Sequence, residues 1–367
     1  MRSDLRRTLA LELRPVTSPP PPEILAAFGI EGSSPIESLP AGHIHRTWKV
    51  TAATPVAIQR VNDVVFRAPH ELMANLERLE QVLDRVEVPT LHWRRTVDGA
   101  LLHRDYLGGL WRASTWIPGE VRAGAPADSD VETISRAFGE YAASLADEPV
   151  ERYVEVIPSF HDFAARERAW HFAVLRDDAN RFLHAQPEIE RASRVLERLH
   201  ELREFDAWRQ LPRRLAHNDA KAANIVRRAD GTFTVIDLDT TMPGHLLADV
   251  GELIRTMCRS ASEDDDLAAT SLQTERFGLV LRGWLDGYGS ELHDAEAEAL
   301  PIAGAMMTTE NALRFLTDYL DGDIYFHIDR PDQNRARFRA QIALAQTLLD
   351  GMSDLRRVVA NELSRRS

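Results

Sequence analysis

Residues 215–239 read LAHNDAKAANIVRRADGTFTVIDLD, and this stretch carries most of the information about the fold. Three polar residues that can take part in chemistry come first, at Asp219, Lys221 and Asn224, and an apolar pair follows at once. We therefore expect these three residues in a loop that leads into a strand. An Asp-Gly turn signal comes next, followed by an apolar run that ends in Asp-Leu-Asp. The stretch predicts a loop, a turn and a second strand with carboxylates at its end.

The two carboxylates at this end are Asp237 and Asp239. If the strand covers Phe233–Thr240, its side chains alternate, and we expect both carboxylates on one face. Carboxylate oxygens suit hard cations such as Mg²⁺. A structural interpretation also exists, because Asp and Asn cap helices and turns, and Asp-Leu-Asp could close a hairpin.

Phosphoryl transfer uses these same residue types. A carboxylate positions the acceptor hydroxyl and takes its proton, a lysine neutralises charge on the moving group, and an Asn and an Asp hold Mg²⁺. Asp219 and Lys221 fit the first two roles, and Asn224 with Asp237 fits the third. All four residue types that phosphoryl transfer needs occur here in a suitable order and spacing, which favours that function over a purely structural role.

The motifs H-N-D-x-K-x-x-N and V-I-D-L-D resemble the catalytic and metal-binding loops of the aminoglycoside phosphotransferase and choline kinase superfamily. That superfamily shares the protein-kinase-like fold, and the resemblance implies ATP as co-substrate with Mg²⁺. The implied roles fall on Asp219 as catalytic base, on Asn224, Asp237 and Asp239 as metal ligands, and on His217 and Asp249 as supports of the loop.

The order of elements predicts an α+β protein with a small β-rich part and a larger helical part, and the resemblance implies that these are the two lobes of a bilobal, protein-kinase-like fold. Residues 23–117 read as a small antiparallel β-rich N-lobe with one helix at 70–86. Residues 118–367 read as a larger, mainly helical C-lobe that carries the catalytic loop and the substrate pocket. Residues 1–22 read as a flexible Pro-rich tail.

Kinase-like folds normally place a lysine on the third strand, and Gln59 stands at the matching position here. Glutamine is neutral and offers an amide N–H rather than a charge. We expect Gln59 to bind the nucleotide, together with Trp116 and Ile117 at the predicted hinge.

Several further segments resemble the N-acetylhexosamine 1-kinases, which phosphorylate the anomeric hydroxyl of a sugar. They include TTENALRFLTDYLDGDIYF at 308–326. The resemblance implies a sugar or amino-sugar substrate and sugar contacts at Arg314 and Tyr325. Glu310 lies one helical turn before Arg314, and His161 is a further candidate substrate contact.

The composition excludes several classes of protein. The formal charge of −13 argues against nucleic-acid binding, which rests on clustered basic residues. A single cysteine excludes an intrachain disulfide, and no apolar stretch approaches the roughly 18 residues of a membrane span. We expect a cytoplasmic protein that acts without a membrane.

Lysine occurs only twice, at Lys49 and Lys221. Nothing in the sequence indicates an oligomeric state.

Three alternatives stay open at the level of the sequence. A kinase of the same fold could act on an aminoglycoside, an amino alcohol or another sugar, and the acidic residues Asp318, Asp321 and Asp323 would suit a polycationic substrate. A nucleotide-binding pseudokinase is the second alternative. The third is an unrelated metal-dependent hydrolase that uses Asp237 and Asp239.

Overall fold

The computed structural model of the chain describes residues 19–39, 45–121, 126–259 and 272–366. Residues 1–18 of the predicted tail lie outside these ranges. Internal contacts divide the chain into a small and a large compact unit. The small unit comprises Met1–Glu120, Glu151–Pro158 and Val226–Met242, and the large unit comprises Val121–Val150, Ser159–Ile225 and Pro243–Ser367. The lobe boundary expected at residues 117–118 stays a prediction.

The strands among the described residues are short. They are β1 (Ile36–Ser38), β2 (Arg46–Val50), β3 (Val56–Arg60), β4 (Trp93–Arg94), β5 (His103–Arg104), β6 (Leu110–Thr115), β7 (Arg214–Ala216), β8 (Ile225–Arg227), β9 (Phe233–Val235) and β10 (Met242–Gly244).

The helices are longer and lie mostly in the large unit. They are α1 (Pro22–Ala27), α2 (Pro69–Arg85), α3 (Asp128–Ser144), α4 (Phe163–Arg176), α5 (Phe182–His200), α6 (Arg203–Trp208), α7 (Leu246–Met257), α8 (Thr274–Tyr288), α9 (Asp294–Ala299), α10 (Ala303–Asp321), α11 (Gln333–Asp350) and α12 (Met352–Ser364). Short 3₁₀ helices cover Val150–Arg152, Ala222–Asn224, Leu238–Thr240 and Leu300–Ile302.

The small unit is built on one antiparallel sheet. Its strands lie in the order β1-β2-β3-β6-β4, and β5 also pairs with β6. Trp48, Ile58 and Trp111 from the central strands form a core with α1. Thr47 pairs with Gln59, and Gln59 pairs with Arg112. These three side chains therefore share one face of the sheet.

The strand expected at Phe233–Thr240 ends at Val235, so that prediction is wrong in its second half. Asp237 has a φ of 59°, in the left-handed region, and Leu238–Thr240 forms a 3₁₀ turn. Asp tolerates the left-handed conformation better than most residues do. Because strand alternation stops before Asp237, Asp237 and Asp239 do not share a strand face.

The large unit is a packed set of helices, with α10 buried on nearly all sides. Helices α3 and α8 approach closely because glycines face the contact. A Cβ on Gly139 would lie 2.2 Å from the carbonyl oxygen of Trp284, and one on Gly283 would lie 2.1 Å from that of Glu132. The α+β class, with a small antiparallel sheet and a larger helical region, is confirmed.

Among the described residues, we find no helix with the length and apolar character that a membrane span requires.

Candidate functional site

The loop after β7 brings together three of the predicted residues of the large unit. The Lys221 ammonium donates to Asp219 Oδ2 at 2.8 Å. The Asn224 amide nitrogen donates to the same carboxylate oxygen at 2.8 Å and to the backbone oxygen of Asp219 at 2.8 Å. The Asp219 side chain stays 21% exposed, so a small molecule can reach it.

The electrostatics of this loop keep Asp219 ionised. Burial alone would raise the pKa of the Asp219 carboxyl, but the Lys221 charge and hydrogen bond, helped by His217 and Asn224, lower it overall. An ionised carboxylate accepts a hydrogen bond from a hydroxyl and can take its proton.

Two further predicted residues support the loop from inside the large unit. The Asp249 carboxylate, in the first turn of α7, accepts the backbone N–H of His217 at 2.9 Å and that of Asn218 at 2.6 Å. The His217 ring is fully buried against the rings of Phe138 and Tyr141. These contacts fix the backbone directly before Asp219.

Asp239 lies in the small unit and is held by a residue that the sequence did not single out. Arg112 on β6 donates to both oxygens of Asp239, at 2.5 and 2.6 Å, and its side chain is 1% exposed. His45 adds a contact of 3.3 Å to the same carboxylate. Burial would raise the pKa of Asp239, but Arg112 and His45 lower it strongly. The sequence signal for this role was a single arginine in a strand whose other residues are uncharged.

Gln59 belongs to this same network. It accepts from Arg112 Nε at 2.9 Å and donates to the Thr47 hydroxyl at 3.0 Å. Both ends of its amide are therefore engaged in the small unit. The predicted nucleotide contact of Gln59 stays a prediction.

The predicted hinge residues, Trp116 and Ile117, line a cavity of about 230 Å³ in the small unit. The other lining residues are Pro89, Thr90, His92, Thr115, Pro118 and Arg228. The Lys49 ammonium lies 5.0 Å from the centre of the Trp116 ring, on its face. Half of the eight lining residues are polar or charged, and the volume is below the roughly 300–1,000 Å³ that is usual for a small-molecule site.

His161 links the catalytic loop to α10 within the large unit. Its Nδ1 lies 2.9 Å from Glu310 Oε1 and its Nε2 lies 2.7 Å from the backbone oxygen of Asn218. A backbone oxygen and an ionised carboxylate only accept hydrogen bonds, so this geometry suits an imidazolium with a proton on both ring nitrogens. Burial would lower the pKa of His161, but the Glu310 charge and hydrogen bond raise it overall. His161 and Glu310 therefore form a buried ion pair.

Arg314 also projects from α10, among aromatic rings. Its guanidinium carbon lies 5.5 Å from the ring centres of Phe160 and Phe326 and 5.9 Å from that of Tyr325. The Asp318 carboxylate holds the segment of Tyr325 and Phe326 by accepting their backbone N–H groups. The structure thus brings the four predicted substrate residues of the large unit into one region. It adds Phe160 and Phe326, which the sequence did not single out.

A sequence model of the phosphotransferase enzyme family (APH) matches residues 35–288 of this chain. The chain belongs to this family. The match covers the sheet of the small unit and the loop of Asp219, Lys221 and Asn224, and ends with α8. The predicted membership of the aminoglycoside phosphotransferase superfamily is confirmed.

Solved structures show where else this phosphotransferase fold occurs. An aminoglycoside phosphotransferase from Alicyclobacillus acidocaldarius is 15% identical, with a TM-score of 0.62 over 96% of this chain and 99% of that chain. A microcompartment-associated aminopropanol kinase is 16% identical, with a TM-score of 0.60 over 91% and 97%. An amicoumacin kinase, solved with AMP-PNP and Ca²⁺, is 14% identical, with a TM-score of 0.59 over 95% and 96%. Identities this low establish the protein-kinase-like fold and not the substrate.

Proposed function

We propose that this phosphotransferase transfers the γ-phosphoryl group of ATP to a sugar hydroxyl, namely the anomeric hydroxyl of an N-acetylhexosamine. The observation that carries the proposal is the loop in which Lys221 and Asn224 both bond the partly exposed carboxylate of Asp219. Such a loop suits phosphoryl transfer, where positioning and charge stabilisation supply most of the rate.

In the proposed reaction, Asp219 accepts the proton of the sugar hydroxyl while the hydroxyl oxygen attacks the γ-phosphorus in line. A new O–P bond forms, the bond to the bridging oxygen breaks, and ADP leaves. Lys221 is 2.8 Å from Asp219 and supplies positive charge beside the moving phosphoryl group. No covalent intermediate with the protein is needed.

Asn224 and Asp237 are the proposed ligands of Mg²⁺. The amide nitrogen of Asn224 donates two hydrogen bonds to Asp219, one to the backbone oxygen and one to the carboxylate. The amide oxygen of Asn224 is therefore the atom proposed to bind the metal. Amide and carboxylate oxygens fit this hard cation. When bound, the ion neutralises charge on the leaving diphosphate. Both oxygens of Asp239 already accept hydrogen bonds from Arg112, so its predicted metal role ranks behind the other two.

For the nucleotide, we propose contacts of the base with the hinge backbone at Trp116 and Ile117, with Gln59 nearer the phosphates. The cavity beside the hinge supports this assignment in part. The amicoumacin kinase and a spectinomycin phosphotransferase of the same fold were solved with AMP-PNP and ADP, which supports a nucleotide as donor.

The contacts of the acidic residues favour a sugar over a polycationic aminoglycoside. The Asp318 carboxylate accepts hydrogen bonds from backbone N–H groups and from the Asn334 amide. The Asp323 carboxylate accepts hydrogen bonds from Arg181 and from Asn334. Asp321 bonds Arg176. The three carboxylates that could have attracted a polycation thus already have partners in the fold.

The test is a screen of acceptors with ATP and Mg²⁺, comprising N-acetylhexosamines, free hexosamines, aminoglycosides and amino alcohols, read by phosphorus NMR. The proposal expects a sugar 1-phosphate. If an aminoglycoside or an amino alcohol is phosphorylated instead, the protein is still a kinase but the proposed substrate is wrong. Nucleotide binding without any product would favour the pseudokinase, and absence of nucleotide binding would favour the metal-dependent hydrolase.

A further inference from the structure

Most arginines of the large unit pair with a carboxylate. Arg181 bonds Asp323, Arg214 bonds Glu296, and Arg356 bonds Glu204. Two arginines near the catalytic loop differ. Within the part of the chain that the structure describes, neither Arg166 nor Arg314 forms an ion pair, although the protein carries a net charge of −13.

Arg166 lies on α4 and is tied to backbone only. Its Nη2 donates to the carbonyl oxygens of Ser159 and Phe160, at 3.1 and 2.9 Å. Its Nε is buried without a hydrogen-bond partner. Burial lowers the pKa of Arg166, and the charge of nearby Arg314 lowers it further. Both guanidinium groups lie beside Phe160, that of Arg166 at its backbone oxygen and that of Arg314 near its ring, and Arg166 keeps an N–H donor without a partner.

The carboxylates around these two arginines have other hydrogen-bond partners. Glu310 is bonded by the His161 imidazolium, and Asp318 accepts backbone N–H groups. The charges of Glu310 and Asp162 raise the pKa of Arg166, but among the described residues no carboxylate lies within ion-pair distance of Arg166 or Arg314. Both guanidinium groups therefore keep N–H donors that no carboxylate occupies.

The aromatic rings present this charge in a defined orientation. Arg314 lies 5.5 Å from two ring centres and 5.9 Å from a third, and the Tyr325 side of this group is open, since Tyr325 is 59% exposed. Aromatic faces beside a guanidinium hold the group while leaving N–H donors in its plane. Such donors match the two oxygens of a carboxylate or a phosphate.

We propose that Arg166 and Arg314 bind an anionic group, a carboxylate or a phosphate, on the acceptor substrate. This inference rests on the proposed function and adds an anionic group to its acceptor, which would be a sugar phosphate, such as an N-acetylhexosamine phosphate, or a sugar acid with a free hydroxyl. His161 connects the region to the loop, because its Nε2 is 2.7 Å from the oxygen of Asn218, the residue before Asp219. An acceptor anchored at the arginines would thus have its hydroxyl near the proposed base.

The first experiment compares matched acceptors. N-acetylglucosamine is measured against its 6-phosphate, and glucose against glucuronic acid, with ATP and Mg²⁺. We expect kcat/KM to be at least about tenfold higher for the acidic member of a pair, as for one charge-assisted hydrogen bond. Arg314→Gln and Arg166→Gln should abolish that ratio. Arg314→Lys, which keeps the charge and loses the planar fork, should retain part of it.

Arg357→Gln is the control. Arg357 lies on α12, where it donates to Asp354 at 2.7 Å, and it has no part in the proposed subsite. It should leave the ratio unchanged. Equal use of neutral and acidic acceptors by the wild-type protein, or an equal fall for both in Arg314→Gln, would overturn the inference while leaving the kinase intact.

A second experiment separates this inference from the proposed function. Calorimetry measures the binding of glucuronate and of inorganic phosphate to the nucleotide-free protein, with thermal melting as the check that each variant is folded. Binding that is lost in the folded Arg314→Gln variant supports the subsite even if no sugar is phosphorylated. Absence of binding to the wild-type protein removes the subsite. Preference for one anion identifies which of the two groups the acceptor carries.

Discussion

At the residue scale, the catalytic proposal depends on one carboxylate. Asp219→Asn keeps the side-chain volume and can still accept a hydrogen bond from Lys221, but it cannot take a proton. We expect kcat to fall by about 10²- to 10⁴-fold, the usual contribution of a general base, with little change in melting temperature. Steady-state kinetics and thermal melting measure both quantities.

Asp230→Asn is a suitable control for this variant. Asp230 lies in the exposed turn before β9 and accepts from Thr232. It should keep full activity. An Asp219→Asn variant with near wild-type turnover would remove Asp219 from the role of base.

The ion pair of His161 and Glu310 predicts a pH dependence of stability. The pKa of His161 is raised in the folded protein, so folding is favoured when the ring is charged. The stabilisation is complete below the unfolded value of about 6.5 and is lost as the pH rises through the raised value. The melting temperature of the wild type, relative to His161→Gln, should therefore fall between mildly acidic and alkaline pH.

His171→Gln provides the comparison, because His171 is 59% exposed and its nearest carboxylate, in Glu167, is 3.9 Å away. It should follow the wild-type profile. A difference between wild type and His161→Gln that stays constant with pH would show that the charge of His161 does not stabilise the fold.

At the scale of elements, the 3₁₀ turn after Asp237 is tied to strand β6 by the buried pair of Arg112 and Asp239. Arg112→Met leaves a carboxylate buried without its main partner, so we expect a loss of about 3 to 5 kcal/mol in the free energy of unfolding. Urea unfolding measures it. The double variant Arg112→Met/Asp239→Leu should recover part of the loss, since no charge is then buried alone.

An exposed pair on the same unit gives the reference. Arg95 and Glu77 contact each other at the surface, so Arg95→Met should cost less than about 1 kcal/mol. Equal costs for Arg95→Met and Arg112→Met would mean that the buried pair does not hold the turn.

The close contact of α3 and α8 gives a second prediction at this scale. Gly283→Ala places a methyl group 2.1 Å from a backbone oxygen, so we expect a loss of about 1 to 3 kcal/mol from overpacking. In Gly278→Ala, on the same helix, the new methyl group would lie 3.7 Å from its nearest atom, which is an ordinary contact. This variant should leave the free energy of unfolding unchanged or raise it, because alanine has the higher helix propensity. Chemical unfolding of both variants measures these free energies. Equal stabilities of Gly283→Ala and Gly278→Ala would show that α3 and α8 do not pack as closely as described.

Elements also show why part of the site was predictable and part was not. Asp219, Lys221 and Asn224 are neighbours in sequence, and a loop of this length keeps them together whatever surrounds it. The strand through Thr240 failed because alternation assumes an extended backbone, while Asp237 takes a left-handed conformation. No local pattern marks that change.

At the scale of the whole molecule, the fold class followed from the order of elements, a short β-rich part and then many helices. Long-range pairs could not be read in this way, since 127 residues separate Arg112 from Asp239. The proposed anion subsite of Arg166 and Arg314 was equally hidden, because only folding shows which arginines lack a carboxylate in direct contact. A net charge of −13 gave no hint of it.

The near absence of lysine has a practical consequence. Each of the two lysine amines lies beside a residue of a proposed site. The Lys49 amine lies on the face of the Trp116 ring, and the Lys221 amine bonds the carboxylate of Asp219. Outside these two side chains, an acylating reagent finds only the amino terminus of the chain. Mass spectrometry of a briefly acylated sample would thus report on the surroundings of Trp116 and of Asp219 at once, and protection of either amine by a candidate ligand would show where that ligand binds.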